Sequence, residues 1–231
     1  MKVSVKVPTS LEAIKLSQHQ KFLKTTEGSK DDAWINKQLV SIFCNLSDHV
    51  VKNIKKRDYN KIINELSKVV DLEGTFKPII THEGKEYGFI PNLQDITVGE
   101  QADLESVIND WQKMGKACAI MYRPIKSKRK DKYLIEDYTG EEPDLDLNMD
   151  VVRGALVFFY NLMKDLLNCT QNYMKALVHQ PKILQTLEKN GVGINQFTES
   201  LNLTISGLKK YLKESSTQNY YSCLLKQIKT S

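Results

Sequence analysis

The stretch from Thr75 to Tyr138 constrains the fold more than any other, because it ties several elements together through residues with narrow conformational uses. At its centre stands Gly88-Phe89-Ile90-Pro91-Asn92-Leu93. Phe76 to Ile80 and Lys85 to Ile90 flank Thr81-His82-Glu83-Gly84, which predicts a hairpin with Gly near the tight turn. Thr97 and Glu100, three apart and just ahead of Leu104, Val107, Ile108 and Trp111, are the signature of a capping box opening an amphipathic helix. Gly115 predicts its end. Ala117 to Tyr122 is short, apolar and bounded, so it reads as a buried strand, paired across Lys126 to Asp131 with Lys132 to Tyr138.

Ahead of this unit, Val3, Val5 and Val7 alternate with Lys2, Ser4 and Lys6, the period of a half-buried strand that Pro8 stops. Ser17 and Gln20 suggest a capping box for a short helix carrying Phe22 and Leu23, with His19 in its solvated first turn. Thr25 to Asp32 reads as a loop. Helical spacing then recurs in Trp34, Ile35, Leu39, Ile42 and Phe43, in a helix capped near Ser47, and in Tyr59, Ile62, Ile63, Leu66, Val69 and Val70. The basic run Lys52, Lys55, Lys56, Arg57 between the last two reads as a solvated helix end and turn, with a phosphate-binding patch as the alternative. Leu11 to Gln18 aligns without a gap on Leu93 to Glu100, each after a strand ending in proline. That echo places the first strand in the same sheet as the central hairpin.

From Asn148 a long helix begins, apolar nearly all round through Val151, Val152, Ala155, Leu156, Phe158 and Phe159, and it continues to about Val178 before Pro181 limits it. The last fifty residues read as two or three helices broken at Gly191-Val192-Gly193 and near Ser215-Ser216-Thr217, suited to ordering on a partner. The expected class is α+β: a domain over residues 1–146, with a small antiparallel or mixed sheet packed by helices, then a mainly helical region over 147–231.

Composition decides what the chain can do. At 231 residues and 41% hydrophobic it buries a sizeable core. The charge of +5, from 33 basic against 28 acidic side chains, is compatible with nucleic acid without demanding it. Cys44, Cys118, Cys169 and Cys223 lie in apolar segments without zinc-type spacing and read as buried free thiols in a reducing compartment. His19, His49, His82 and His179 form no local metal motif. The acidic run from Asp144 to Asp150 lacks the Gly and terminal Glu of a calcium loop. Phosphate loops and hydrolase elbows are absent, so no cofactor, no metal and no catalytic residue is expected. No run reaches the roughly 20 apolar residues of a membrane span.

Two opposed charge clusters remain. Lys126, Lys128, Arg129 and Lys130 form the densest positive run, and Glu136, Asp137, Glu141, Glu142, Asp144 and Asp146 the densest negative one. The plain reading is a solvated hairpin loop and linker. The functional reading makes the four cations a surface that grips an acidic protein partner or a nucleic-acid backbone. Arg123, beside Pro124, reads equally as part of that surface or as a structural ion pair.

The blocks Tyr87-Gly88-Phe89-Ile90-Pro91-Asn92-Leu93, Ile96-Thr97-Val98-Gly99-Glu100, Met121-Tyr122-Arg123-Pro124-Ile125 and Asp150 through Gly154-Ala155 to Phe158-Phe159-Tyr160 together resemble a family of small tailed-bacteriophage proteins from the structural gene modules of crAss-like and marine phages. The likeness covers about residues 3 to 170. The family pattern continues its Gly-Glu with an aromatic, which Gln101-Ala102-Asp103-Leu104 lacks. The resemblance implies a non-enzymatic tail or baseplate assembly chaperone in the host cytoplasm, binding a phage tail or other virion protein. It leaves a permanent virion component, or a nucleic-acid-binding protein, as alternatives.

Overall fold

The computed structural model describes residues 5–91, 96–130 and 132–178, with the isolated positions 199, 202, 203 and 206 beyond them. The expected helix breaks at Gly191 to Gly193 and at Ser215 to Thr217, and the stop at Pro181, lie outside the described residues. The chain is α+β. Helices α1 (Leu16–Thr26), α2 (Asp32–Phe43), α3 (Asp48–Lys52) and α4 (Lys56–Val70) come first. Strands β1 (Ile79–His82) and β2 (Lys85–Phe89) precede α5 (Val98–Val107) and α6 (Met114–Met121). Strands β3 (Tyr122–Arg129) and β4 (Lys132–Ile135) then lead to the long α7 (Met149–Val178).

The four strands form an antiparallel meander in the order β1-β2-β3-β4. The first hairpin closes through Glu83 and Gly84, both at positive φ (49° and 79°), the two-residue turn whose twist matches the strands it joins. The capping box at Thr97 also forms. Glu100 Oε2 accepts the Thr97 N–H at 2.6 Å, and Thr97 Oγ1 accepts the Glu100 N–H at 3.2 Å.

Four expectations are corrected. Residues 5–9 hold no strand and join no sheet; Val5 and Val7 are half-buried and Lys6 exposed, so the alternation records which side faces the core without a ladder partner. Ala117 to Met121 is helix α6, and only Tyr122 begins a strand. A short apolar run buried on all sides suits either element, and Ala, Cys and Met with no β-branched residue before Ile120 tip it to helix. The single helix ending at Gly115 is two: α5 stops at Val107, and the Asp110 carboxylate accepts the Gln112 N–H at 2.9 Å to open a 3-10 turn that runs into α6 through Gly115.

The fourth correction is His19, which is 6% exposed with its ring edge-on to Trp111 at 4.8 Å. Helix α1 starts at Leu16, two residues earlier than a Ser17 cap allows, and His19 falls on its buried face with Leu16 and Phe22. Burial, with Arg153 adding to it, holds the imidazole down to about 3. An unfolded histidine takes its proton below about 6.5, so the folded state loses stability as pH falls beneath that value, by about 1.4 kcal/mol per unit. The expected loss at pH 5 is about 2 kcal/mol. Chemical denaturation at pH 7 and pH 5 checks it, and His19→Leu should remove that part of the slope.

The N-terminus of α1 is served from far along the chain. Its N-cap position is Lys15, which has no acceptor to offer. Asp146 supplies one: its carboxylate accepts the Ser17 N–H at 2.8 Å and the Ser17 hydroxyl at 2.9 Å. Gln18 Oε1 accepts the Lys15 N–H at 3.0 Å, the same backward reach as Glu100, so the two echoed segments share half of their cap. Backbone bonds from Leu16 N–H to Leu147 O and from Met149 N–H to Ile14 O, each 2.8 Å, clamp the same junction. Asp146→Ala should cost roughly 1–2 kcal/mol and Asp146→Asn only a few tenths, read from urea midpoints.

The first turns of helix α7 lie in the core. Val151, Val152, Ala155, Leu156 and Phe159 are buried in one cluster with residues of α1, α2, α4, α6 and β2. Phe158 stacks on Phe76 at 3.9 Å, and Phe89 stands edge-on to Phe76, Phe158 and Tyr122. Arg153 Nη1 donates to Val70 O at 2.6 Å and Leu72 O at 2.7 Å, which caps the carbonyl end of α4 with a cation. Asp150 accepts the Thr75 N–H at 3.0 Å and pairs with Lys77 at 2.8 Å, while Lys77 also reaches Glu12 at 2.7 Å. Cys44 and Cys118 are buried free thiols, pushed up by burial to about 11 and about 12. The side chains of Cys169 and Cys223 lie outside the described residues.

Candidate partner-binding surface

The four cations singled out in the sequence do not form a loop. Lys126, Lys128 and Arg129 are in the second half of β3, and only Lys130, at φ 54°, belongs to the turn into β4. The hairpin therefore carries its charges on a ladder, with Ile125 opposite Ile135, Lys128 opposite Tyr133 and Arg129 opposite Lys132. Charge alone suggested a solvated loop. The β-forming residues Tyr133 and Ile135 on the return strand carry the pairing back towards the turn.

Register shows that the hairpin overhangs. Tyr87 pairs with Pro124; β2 has two residues before Tyr87, whereas β3 has five after Pro124. One of the five is taken up by the register shift between Ile125 and Ser127, so at about 3.3 Å per residue the remaining difference of two carries the tip about 7 Å past the β1–β2 turn. Both turns lie at the same end of the sheet, so Lys128 reaches Glu86 of β2 at 3.0 Å. Lys126 pairs with Asp137 at 2.6 Å, and this hydrogen bond and charge hold the exposed Asp137 carboxyl below its ordinary range. Arg129, Lys130 and Lys132 are exposed and make no ion pair among the described residues. What the structure brings together is thus a stiff ribbon with two neutralised cations at its root and three at its tip.

Its stiffness comes from Tyr133, which no pattern in the sequence flagged. The Tyr133 ring lies against Gly88, where any Cβ would collide with its Cδ2 and Cε2 atoms. Its hydroxyl donates to Phe89 O at 2.8 Å and stands 3.2 Å from Pro78 O. One β4 side chain thereby crosses β3 and pins the ribbon to β2 and the start of β1.

Arg123 resolves to the structural reading. Its Nη1 lies 2.6 Å from Glu100 Oε1, with side-chain exposures of 9% and 3%, so the pair is inside the protein and takes no part in the ribbon surface. The acidic run is likewise divided: Asp146 caps α1, Asp150 holds residues 75–77, and Glu142 accepts the Thr139 N–H at 2.8 Å. Among the described residues no group of three or more His, Cys, Asp or Glu side chains gathers as metal ligands, and no helix is long and apolar enough to cross a membrane. The basic run Lys52, Lys55, Lys56 and Arg57 falls at the end of α3 and the start of α4, with all four cations exposed. No protein-family model, no curated protein and no solved structure matches this chain.

Proposed function

We propose that the chain is a non-enzymatic bacteriophage morphogenesis protein, a tail assembly chaperone that holds an acidic segment of a tail component on the cationic hairpin formed by β3 and β4. The observation that carries the binding half is the overhang. Three cations that make no ion pair among the described residues sit on a ribbon braced by Tyr133, so little backbone freedom is left to be lost when an anionic partner docks. The phage setting rests on the sequence blocks around residues 87–93, 96–100, 121–125 and 150–160. In the fold these include the aromatic cluster, the α5 cap and the α7 core. They therefore speak for the scaffold, and the binding role rests on the ribbon.

Such a chaperone works in the host cytoplasm and leaves when the tail is complete. Mass spectrometry of purified virions beside infected-cell lysate should find it abundant in lysate and absent from particles. Many copies per particle would make it a permanent virion component. For the surface itself, replacing Lys126, Lys128, Arg129 and Lys130 together by Ser should weaken capture of the tail partner at least about tenfold, as loss of several charge contacts implies. Stability should fall by no more than about 1 kcal/mol, because the two ion pairs removed are exposed. Unchanged capture removes the ribbon from the mechanism. Binding to duplex DNA that falls steeply with salt, and is tighter than binding to the tail protein, replaces the partner by nucleic acid.

A further inference from the structure

The free edge of β4 is self-complementary, and we infer that two copies of this chain pair there, β4 against β4 across a two-fold axis, to make one continuous sheet. Arg129 and Lys132 close a two-residue turn, so they exchange both backbone hydrogen bonds, and the pairs alternate from there. Tyr133 consequently turns its N–H and C=O away from β3. Leu134 turns inward, Ile135 outward, and Glu136 inward again, where its N–H donates to Pro124 O at 2.9 Å. β4 is the last strand of the sheet, and among the described residues no backbone bond is made to the outward groups of Tyr133 and Ile135.

Those outward groups fit a second copy of themselves. In an antiparallel pair centred on Leu134, Tyr133 of one copy faces Ile135 of the other, and both pairs exchange their hydrogen bonds. Leu134 then meets Leu134, and Lys132 meets Glu136 twice. All three side chains lie on the same face, because every second residue of a strand does. Leu134 is 65% exposed, in the middle of an edge strand where natural edges carry charge instead. Lys132 and Glu136 are exposed and make no ion pair among the described residues. The sequence Lys132-Tyr133-Leu134-Ile135-Glu136 thus reads as its own opposite-charge partner about one apolar centre, the requirement of an isologous contact. An unrelated acidic strand would satisfy Lys132 but would set its charge against Glu136.

The pairing takes up Lys132 of the three tip cations and leaves Arg129 and Lys130 clear of the joint, so Leu134→Asp, which removes no cation, tests the dimer apart from the proposed chaperone role. It would present two cationic hairpins pointing to opposite ends of the joined sheet.

Sedimentation equilibrium of the full chain should give twice the 26.5 kDa monomer mass, falling to the monomer for Leu134→Asp. Lys132→Glu and Glu136→Lys should each weaken the dimer, and the two together should restore it, because the exchanged charges meet again. Leu134→Cys should cross-link to a dimer on mild oxidation, since a non-hydrogen-bonded antiparallel pair places its Cα atoms about 4.5 Å apart, within disulfide reach. The unsubstituted chain under the same oxidant is the control for cross-linking through Cys44, Cys118, Cys169 and Cys223. A monomer at every concentration overturns the inference. So does a dimer that Leu134→Asp leaves intact, or a charge-swapped double variant no better than the single ones.

Discussion

Gly154→Ala should cost about 3 kcal/mol, the upper end of what inserting one methyl group into packed structure costs. For a chain of this size that lowers the melting temperature by roughly 6–12 °C. The reason is a crossing of two backbones. Residues 74–76 pass over α7 so closely that a Cβ on Gly154 would stand 2.6 Å from the Phe76 nitrogen and closer still to the Thr75 carbonyl. A Cβ on Gly74 would in turn stand 2.5 Å from the Asp150 carbonyl oxygen and the Arg153 Cβ. Backbone cannot rotate aside as a side chain can, so segment and helix must separate. Separation would loosen the Thr75 bond to Asp150, the Lys77 pair and the Phe76 stack on Phe158, all of which lie within a few residues.

Gly99 is the control. It too lies in a helix, but a Cβ there meets nothing within 4 Å, so Gly99→Ala should be neutral or stabilise by up to about 1 kcal/mol through helix propensity. Thermal unfolding of both variants separates loss of glycine as such from loss of the crossing. Gly74→Ala combined with Gly154→Ala should cost less than the sum, since either one already parts the same two backbones. Equal effects of Gly154→Ala and Gly99→Ala would show that residues 74–76 do not bear on α7.

Local rules were legible in the sequence wherever a structure is specified by neighbours. The Glu83-Gly84 turn, the Thr97 and Glu100 box, the α4 face and the apolar first turns of α7 all follow from spacing within a few residues. Rules failed where a distant segment supplies the missing group. Lys15 is a poor cap by any local criterion, and Asp146 makes it workable from 131 residues away in numbering, or 129 counted from Ser17. With that start His19 falls on the buried face of α1. Val5 and Val7 kept their alternation but found no ladder. Ala117 to Met121 misled for a different reason, because a run buried on every side has no period to read.

The candidate surface divides in the same way. Its charges were visible as a run of residues, but whether they sit on a loop or a ribbon depends on Tyr133 meeting Gly88, a contact between strands that are not neighbours. The self-complementary edge was hidden for a related reason. Lys132, Leu134 and Glu136 share a face of the strand in any register, but that face is the exposed one only once the turn at Lys130 fixes the register, since a slip of one residue would exchange them with Tyr133 and Ile135.

Glu100→Ala should cost about 3–5 kcal/mol, several times the effect of removing the other half of its capping box. Thr97→Ala loses one capping bond, worth about 1 kcal/mol. Glu100 does two things at once: one carboxylate oxygen accepts the Thr97 N–H, and the other lies 2.6 Å from Arg123 at the root of β3. Removing the carboxylate leaves the guanidinium inside the protein without its counter-charge, and a buried unpaired charge costs far more than a frayed helix end. The cap ties α5 together, whereas the ion pair ties α5 to the strand that carries the cationic hairpin. Combining Glu100→Ala with Arg123→Met should therefore recover much of the loss, because neither charge then remains to be buried alone. Urea midpoints of the two single variants, the double variant and Thr97→Ala decide it. If Glu100→Ala costs no more than Thr97→Ala, the pair is solvated in the folded protein and the hairpin is held by Tyr133 alone.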